Sequence, residues 1–148
     1  MAVARAEDLL GMVSRSRGDL AAARDHLGRS IAAADLAESL LPDDQTAPRV
    51  RIDPSVRIAA LNTLALVCAD AGDRHRAIEL TQDALRLCER QGDLHHQAAL
   101  ENNLADLFHG EGRVDDAMTH LKRAVQLFAE VGGRPGDLRP EVWRLVEW

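Results

Sequence analysis

The sequence has no tyrosine, and its only aromatic side chains in 148 residues besides histidine are Phe108, Phe128, Trp143 and Trp148. A sheet core, which draws on aromatic and β-branched side chains, has little to build with. Lysine is almost missing too, Lys122 being the sole example, and the arginines are spread along the chain instead of gathered in a tract. With a formal net charge of −6, the chain lacks the basic stripe that tracks a phosphate backbone, so no nucleic-acid partner is expected. Apolar runs are short. None approaches the roughly 20 residues needed to span a bilayer, and Glu7 and Asp8 stand where a secretion signal requires an apolar stretch. A cytoplasmic protein with no membrane partner is expected. The two cysteines, Cys68 and Cys88, are expected as buried thiols and not as a disulfide.

What the chain does have is alanine, leucine and internal repetition. A shift of 40 residues superimposes Ala59 on Ala99, Asn62 on Asn102, Leu64 on Leu104, Ala65 on Ala105, Gly72 on Gly112, Ala77 on Ala117, Ala84 on Ala124, Leu87 on Leu127 and Gly92 on Gly132. A shift of 54 brings Leu10, Gly18, Asp19 and Ala23 onto Leu64, Gly72, Asp73 and Ala77. The extra residues of that first interval fall around Leu41-Pro42-Asp43-Asp44 to Asp53-Pro54, where proline and turn-formers forbid a continuous helix. Three copies of one unit follow, at about 4–41, 54–92 and 94–132.

Each copy reads as two helices. Val114, Ala117, Met118, Leu121, Ala124, Val125 and Phe128 recur at three- and four-residue spacing, the stripe of an amphipathic helix, and strand alternation is absent. Gly18, Gly72 and Gly112 then act as left-handed residues that end the first helix, and Asp19 and Asp73 can cap the second. The resulting map is helix 4–17, helix 19–41, an irregular link 42–53, helices 54–71, 73–91, 94–110 and 113–131, and a last helix from Pro140. Asp53-Pro54 and Arg139-Pro140 place proline at a first helical position, where its missing N–H costs nothing.

These residues resemble the tetratricopeptide repeat. The pattern is Leu10-Gly11…Gly18…Ala23, then Leu64-Ala65…Gly72…Ala77…Ala84, then Leu104-Ala105…Gly112…Ala117…Ala124. Small residues at these places allow antiparallel helices to cross closely. The 40-residue unit is longer than the usual 34 and is similar to the units of kinesin light chains and of the sensor arms of bacterial multidomain regulators. The resemblance implies an all-α solenoid of three antiparallel helical hairpins plus a C-terminal capping helix, 140–148, forming one domain over 1–148.

It also implies a scaffold for protein–protein interaction, in which the first helices of successive units line a concave groove for a peptide or partner helix. By register the groove-facing candidates are Asp8, Met12 and Arg15; Asn62, Leu66 and Ala69; and Asn102, Asp106 and His109. An Asn amide both donates and accepts, so it can grip an extended backbone without reading side chains. The competing reading is that Asn62 and Asn102 bond only helix ends or water. Arg15 is the main basic candidate among neutral and acidic neighbours, which argues against a receptor for a C-terminal carboxylate.

No catalytic constellation stands out, and neither an enzymatic role, a cofactor nor a metal is expected. His26, His75, His95, His96, His109 and His120 include no i, i+4 pair and read as solvated surface residues. The Gly132-Gly133-Arg134-Pro135-Gly136 run lacks the Lys-Ser/Thr of a phosphate loop. Trp143 and Trp148 read as part of a cap over the last apolar face, or else as a docking tag. No cap precedes Ala6, Leu9 and Leu10, so that face is expected to be apolar and uncovered, sheltered by further repeats of a longer protein or by a second chain in a homodimer. The alternative to a peptide-binding module is therefore a structural element that self-associates through its first unit.

Overall fold

Helix-forming stretches of alanine, leucine and arginine are broken by single glycines, Gly18, Gly72, Gly92 and Gly112, and the computed structural model shows what each does. The structure describes residues 2–39 and 55–131. Among them are six helices and no strand: α1 (Ala2–Ser16), α2 (Leu20–Ser39), α3 (Ser55–Asp70), α4 (Arg74–Gln91), α5 (Leu94–Gly110) and α6 (Val114–Glu130). The boundaries read from sequence hold to within two or three residues. The expected link 42–53 and the expected cap from Pro140 lie outside the described residues.

Gly72 ends α3 with φ +84°, a region that any side chain would strain. Its N–H donates to the Ala69 carbonyl (2.9 Å) and the next N–H, of Asp73, reaches back to Cys68 (2.9 Å). This pair of bonds is a Schellman turn, which satisfies carbonyls left open at the helix end. The same pair recurs at Gly18 (Gly18 to Arg15, Asp19 to Ser14), Gly92 (to Glu89, and Asp93 to Cys88) and Gly112 (to His109, and Arg113 to Phe108). The turn between α4 and α5 therefore repeats the turn within each hairpin. Gly72, Gly92 and Gly112 stand twenty residues apart, so the 40-residue period is two helix-plus-turn modules of equal length.

The residue after the glycine opens the next helix. Asp19 Oδ1 accepts from the Ala22 N–H (3.0 Å), Asp73 Oδ1 from Arg76 (3.2 Å) and Asp93 Oδ1 from His96 (3.1 Å). Such a cap contributes about 1 kcal/mol. Arg113 at the fourth position makes no side-chain cap; Asp115 and Asp116 in the first turn of α6 complement the helix dipole instead.

The chain divides into two compact units, Met1–Leu80 and Thr81–Trp148. In the first, α1 and α2 pack as a hairpin and α3 packs on both. Ala4 on α1 and Ala23, Ser30 and Ala34 on α2 are buried, and Ser30 Oγ donates to the Ala4 carbonyl (2.8 Å) across the hairpin. Ala23, Leu27 and Val67 form a buried cluster to which Leu20 and Leu64 add. In the second unit α5 and α6 form the hairpin; Ala98, Leu100, Leu104, Ala105 and Phe108 of α5 and Ala117, Ala124 and Leu127 of α6 are buried.

Candidate peptide-binding groove

Residues four apart on a helix share a face, and the first unit turns one such face of α1 toward one of α3. Met12, Arg15 and Ser16 from α1, with Asn62, Thr63, Leu66 and Asp70 from α3, line a groove of about 520 Å³. Four sequence-selected residues, Met12, Arg15, Asn62 and Leu66, are brought together here. Ser16, Thr63 and Asp70 were missed. Two of them continue known stripes by one helical turn, Ser16 four residues after Met12 and Asp70 four after Leu66, and that spacing was the available signal.

Arg15 Nε donates to Asp70 Oδ2 at 2.6 Å. The groove's cation is thus neutralised, and the rest of the lining is Met12, Leu66, Ser16, Asn62 and Thr63, whose hydroxyl donates to the Ala59 carbonyl at 3.0 Å.

Asp8, one turn before Met12, is half-buried, and its Oδ1 is buried without a hydrogen-bond partner. Loss of solvent pushes its carboxyl above the ordinary range. In the second unit Asn102 is buried, 6% exposed, and its Oδ1 also lacks a partner. Asp106 is half-buried and His109 exposed on the same α5 stripe. Shifts of 54 and 40 place Asp8, Asn62 and Asn102 at one register, so two of the three repeat copies hold a buried, unpaired side-chain oxygen at the same position.

The reading of the histidines as uniformly solvated is corrected at His26 and His120. His26 Nδ1 lies 2.7 Å from Glu7 Oε2, and Arg29 Nε donates to the same oxygen at 3.2 Å. His120 Nδ1 lies 2.7 Å from Glu101 Oε2, with Glu101 buried and His120 stacked on Phe108 at 5.1 Å between centroids. Arg113 covers the Phe108 ring, 4.3 Å from its centroid. His96 Nδ1 sits 2.6 Å from Asp93 Oδ2. The His26 hydrogen bond, reinforced by Arg29 against the opposing effect of burial, holds the Glu7 carboxyl below its ordinary value. For Asp93 burial acts upward, but the backbone and side-chain hydrogen bonds from His96 outweigh it and the carboxyl is lowered.

Neither cysteine is an activated nucleophile. Both are free and buried; burial raises the Cys68 thiol and pushes Cys88 up to about 11. Among the described residues no three His, Cys, Asp or Glu side chains are grouped to hold a metal ion, and no helix is long and apolar enough to cross a membrane.

Residues 56–133 match the family model of the tetratricopeptide repeat. The chain belongs to the tetratricopeptide repeat family. Members of this family generally bind protein partners and are typically scaffolds without enzymatic activity. The match begins in α3, yet α1 and α2 show the same Schellman turn and buried alanines, so the tetratricopeptide pattern extends over the first hairpin.

Among solved structures, BtubC (BKLC) from P. vanneervenii superimposes with a TM-score of 0.70 at 19% identity, over 89% of this chain and 48% of that one. A P. anserina kinesin light chain with nearly identical TPR-like repeats gives 0.67 at 19% identity, over 95% of this chain and 64% of that one. A single-residue variant of the latter gives 0.67 at 20%, over 95% and 63%. The tetratricopeptide array described here therefore spans about half to two thirds of the chains it matches. At these identities the likeness establishes the fold, and the expected kinship with kinesin-light-chain repeats holds at that level. No curated protein sequence matches the chain significantly.

Proposed function

We propose that this tetratricopeptide array is a protein-interaction module that holds an extended, uncharged peptide segment in the groove between α1 and α3, as one part of a larger regulatory protein. The observation that carries the reading is the convergence of Met12, Asn62 and Leu66 on one groove whose lining cation among the described residues, Arg15, is already paired with Asp70. A neutralised groove has no free charge for a terminal carboxylate or a phosphate. The Asn62 amide, with two donor hydrogens and an acceptor oxygen, suits main-chain groups of a peptide, and Met12 and Leu66 suit an apolar side chain. By register, Asp8 in the first unit, and Asn102, Asp106 and His109 in the second, are proposed as further peptide contacts of their own units.

The test is selection of peptides from a displayed random library on the full chain, followed by titration of the selected peptide. Asn62→Ala is expected to weaken binding by about 1 kcal/mol, roughly fivefold in Kd, with circular dichroism verifying that the fold is kept. Selected peptides that bind Asn62→Ala and Leu66→Ala as tightly as the parent would remove the groove from the proposal.

A further inference from the structure

Sulfur is the side-chain element that mild oxidants attack first, and the fold sorts its occurrences by access. The thiols of Cys68 and Cys88 are free and buried, and burial raises both above their ordinary range, away from the reactive thiolate. A thioether requires no deprotonation, so access alone governs its oxidation. Of the three methionines, Met1 lies outside the described residues, Met12 is 50% exposed on α1 and Met118 is 45% exposed on α6. These two are nearly equal in access and differ in place. Met118 belongs to the second unit, whereas Met12 lines the groove between α1 and α3. Among the described residues lining that groove, Met12 and Leu66 alone have apolar side chains, and Leu66 is half-buried. Met12 is therefore half of the apolar wall, and the more accessible half.

We propose that Met12 is an oxidation site that regulates the groove, its conversion to the sulfoxide weakening capture of the peptide's apolar side chain. This control rests on the peptide-binding reading of the groove. The oxidant is a hydroperoxide. The Met12 sulfur lone pair attacks the outer peroxide oxygen, and an S–O bond forms as the O–O bond breaks. The proton of that outer oxygen passes to the leaving oxygen, which departs as an alcohol, or as water from hydrogen peroxide. Sulfur gives up two electrons and the peroxide gains them. The product is polar where the thioether was apolar, with an acceptor oxygen that holds water. An aliphatic side chain seated between Met12 and Leu66 then loses apolar contact and has to displace that water. The step is reversible: a sulfoxide reductase removes the oxygen as water while two thiols close to a disulfide.

In the test, the full chain is treated with hydrogen peroxide and sulfoxide at each methionine is read by mass spectrometry of proteolytic fragments. The peptide selected on the untreated chain is titrated against treated and untreated samples, with circular dichroism verifying that the fold is kept. Oxidation is expected to raise the parent's Kd roughly fivefold, the scale of one partly lost apolar contact, and methionine sulfoxide reductase with dithiothreitol returns it. Met12→Leu, a volume-conserving change, is compared with its own untreated sample and is expected to hold its Kd through the treatment. Met118→Leu is expected to lose affinity on oxidation as the parent does. An untreated chain whose peptide ignores Asn62→Ala and Leu66→Ala removes the groove, and this inference with it; the peroxide outcomes concern Met12 alone. A Kd unmoved with Met12 converted overturns the inference, as does a Met12→Leu variant that loses affinity on treatment. So does a Met12 that stays unmodified at peroxide doses that convert Met118.

Discussion

Leu27 fills the space in which a side chain at position 11 would stand: a Cβ built on Gly11 would lie 2.6 Å from Leu27 Cγ and 2.8 Å from Cδ2. Leu27 is fully buried against Ala23 and Val67, so it has nowhere to retreat. The glycine is a packing requirement, not a flexible joint. In an open helix Gly→Ala stabilises by up to about 1 kcal/mol; here the overpacking cost of about 1–3 kcal/mol wins. Gly11→Ala is expected to lower stability by about 1 kcal/mol in urea unfolding. Gly28→Ala, on α2 where nothing lies within 4 Å of the added carbon, is the control and is expected to raise it. Equal signs for the two would refute the close crossing.

Glu101 and His120 occupy the register that Leu61 and Leu80 occupy one unit earlier and Glu7 and His26 occupy in the first. Leu61 and Leu80 are both buried, so the position accepts either an ion-paired or an apolar couple. Removing one partner leaves a buried polar group unpaired, at about 1–3 kcal/mol. His120→Leu alone is therefore expected to destabilise by that amount, while Glu101→Leu/His120→Leu returns stability to within about 1 kcal/mol of the parent. The double-mutant cycle, read by chemical denaturation, fails if the two losses simply add.

Two carboxylates set opposite limbs of the acid stability profile. The Asp93 carboxyl is lowered in the fold, so its contribution is complete above the unfolded pKa of about 3.9 and is lost as pH falls through the lower folded value. Asp8 is raised by desolvation, so its ionised form opposes folding above its folded pKa, and the penalty vanishes below about 3.9. Asp8→Asn is expected to raise the melting temperature at neutral pH and to leave it unchanged in strong acid. Asp93→Asn, which keeps a capping oxygen, is expected to flatten the acid limb. Melting curves across pH decide both, and an Asp8→Asn effect that grows toward low pH would contradict the assignment.

The Arg15–Asp70 pair keeps the groove neutral. Asp70→Asn releases the guanidinium while preserving size, and the variant is expected to gain affinity, by several-fold at low salt, for peptides ending in a free carboxylate over their amidated forms. The exposed pair itself contributes less than about 1 kcal/mol to stability, so the melting temperature should hardly move. Identical discrimination by parent and variant would show that Arg15 does not face the bound peptide.

Much of the fold was legible because its determinants are local. A glycine stops each helix through bonds within five residues, as Gly18, Gly72 and Gly112 announced, and at the first two the following aspartate caps the next helix. The matching turn at Gly92, with Asp93 as its cap, was less plain because it lies between units and not within one. The groove was legible in part: helical spacing selected Met12, Arg15, Asn62 and Leu66, but no local rule pairs Arg15 with Asp70, 55 positions away. The Glu7–His26 and Glu101–His120 pairs escaped notice because the middle copy carries Leu61 and Leu80, so neither the 40- nor the 54-residue shift shows an identity there. Only the first and third copies compared directly reveal it.

By itself the sequence determined where each helix starts and stops and which residues recur at each register, since backbone hydrogen bonding and left-handed φ are settled within a turn of chain. The tertiary structure alone decided which apolar faces are sheltered, as Val67 is and Val13 is not, and which charges are cancelled, as Arg15 is. Those outcomes depend on how close residues from separate helices come, and burial and ion pairing exist only once the helices have packed.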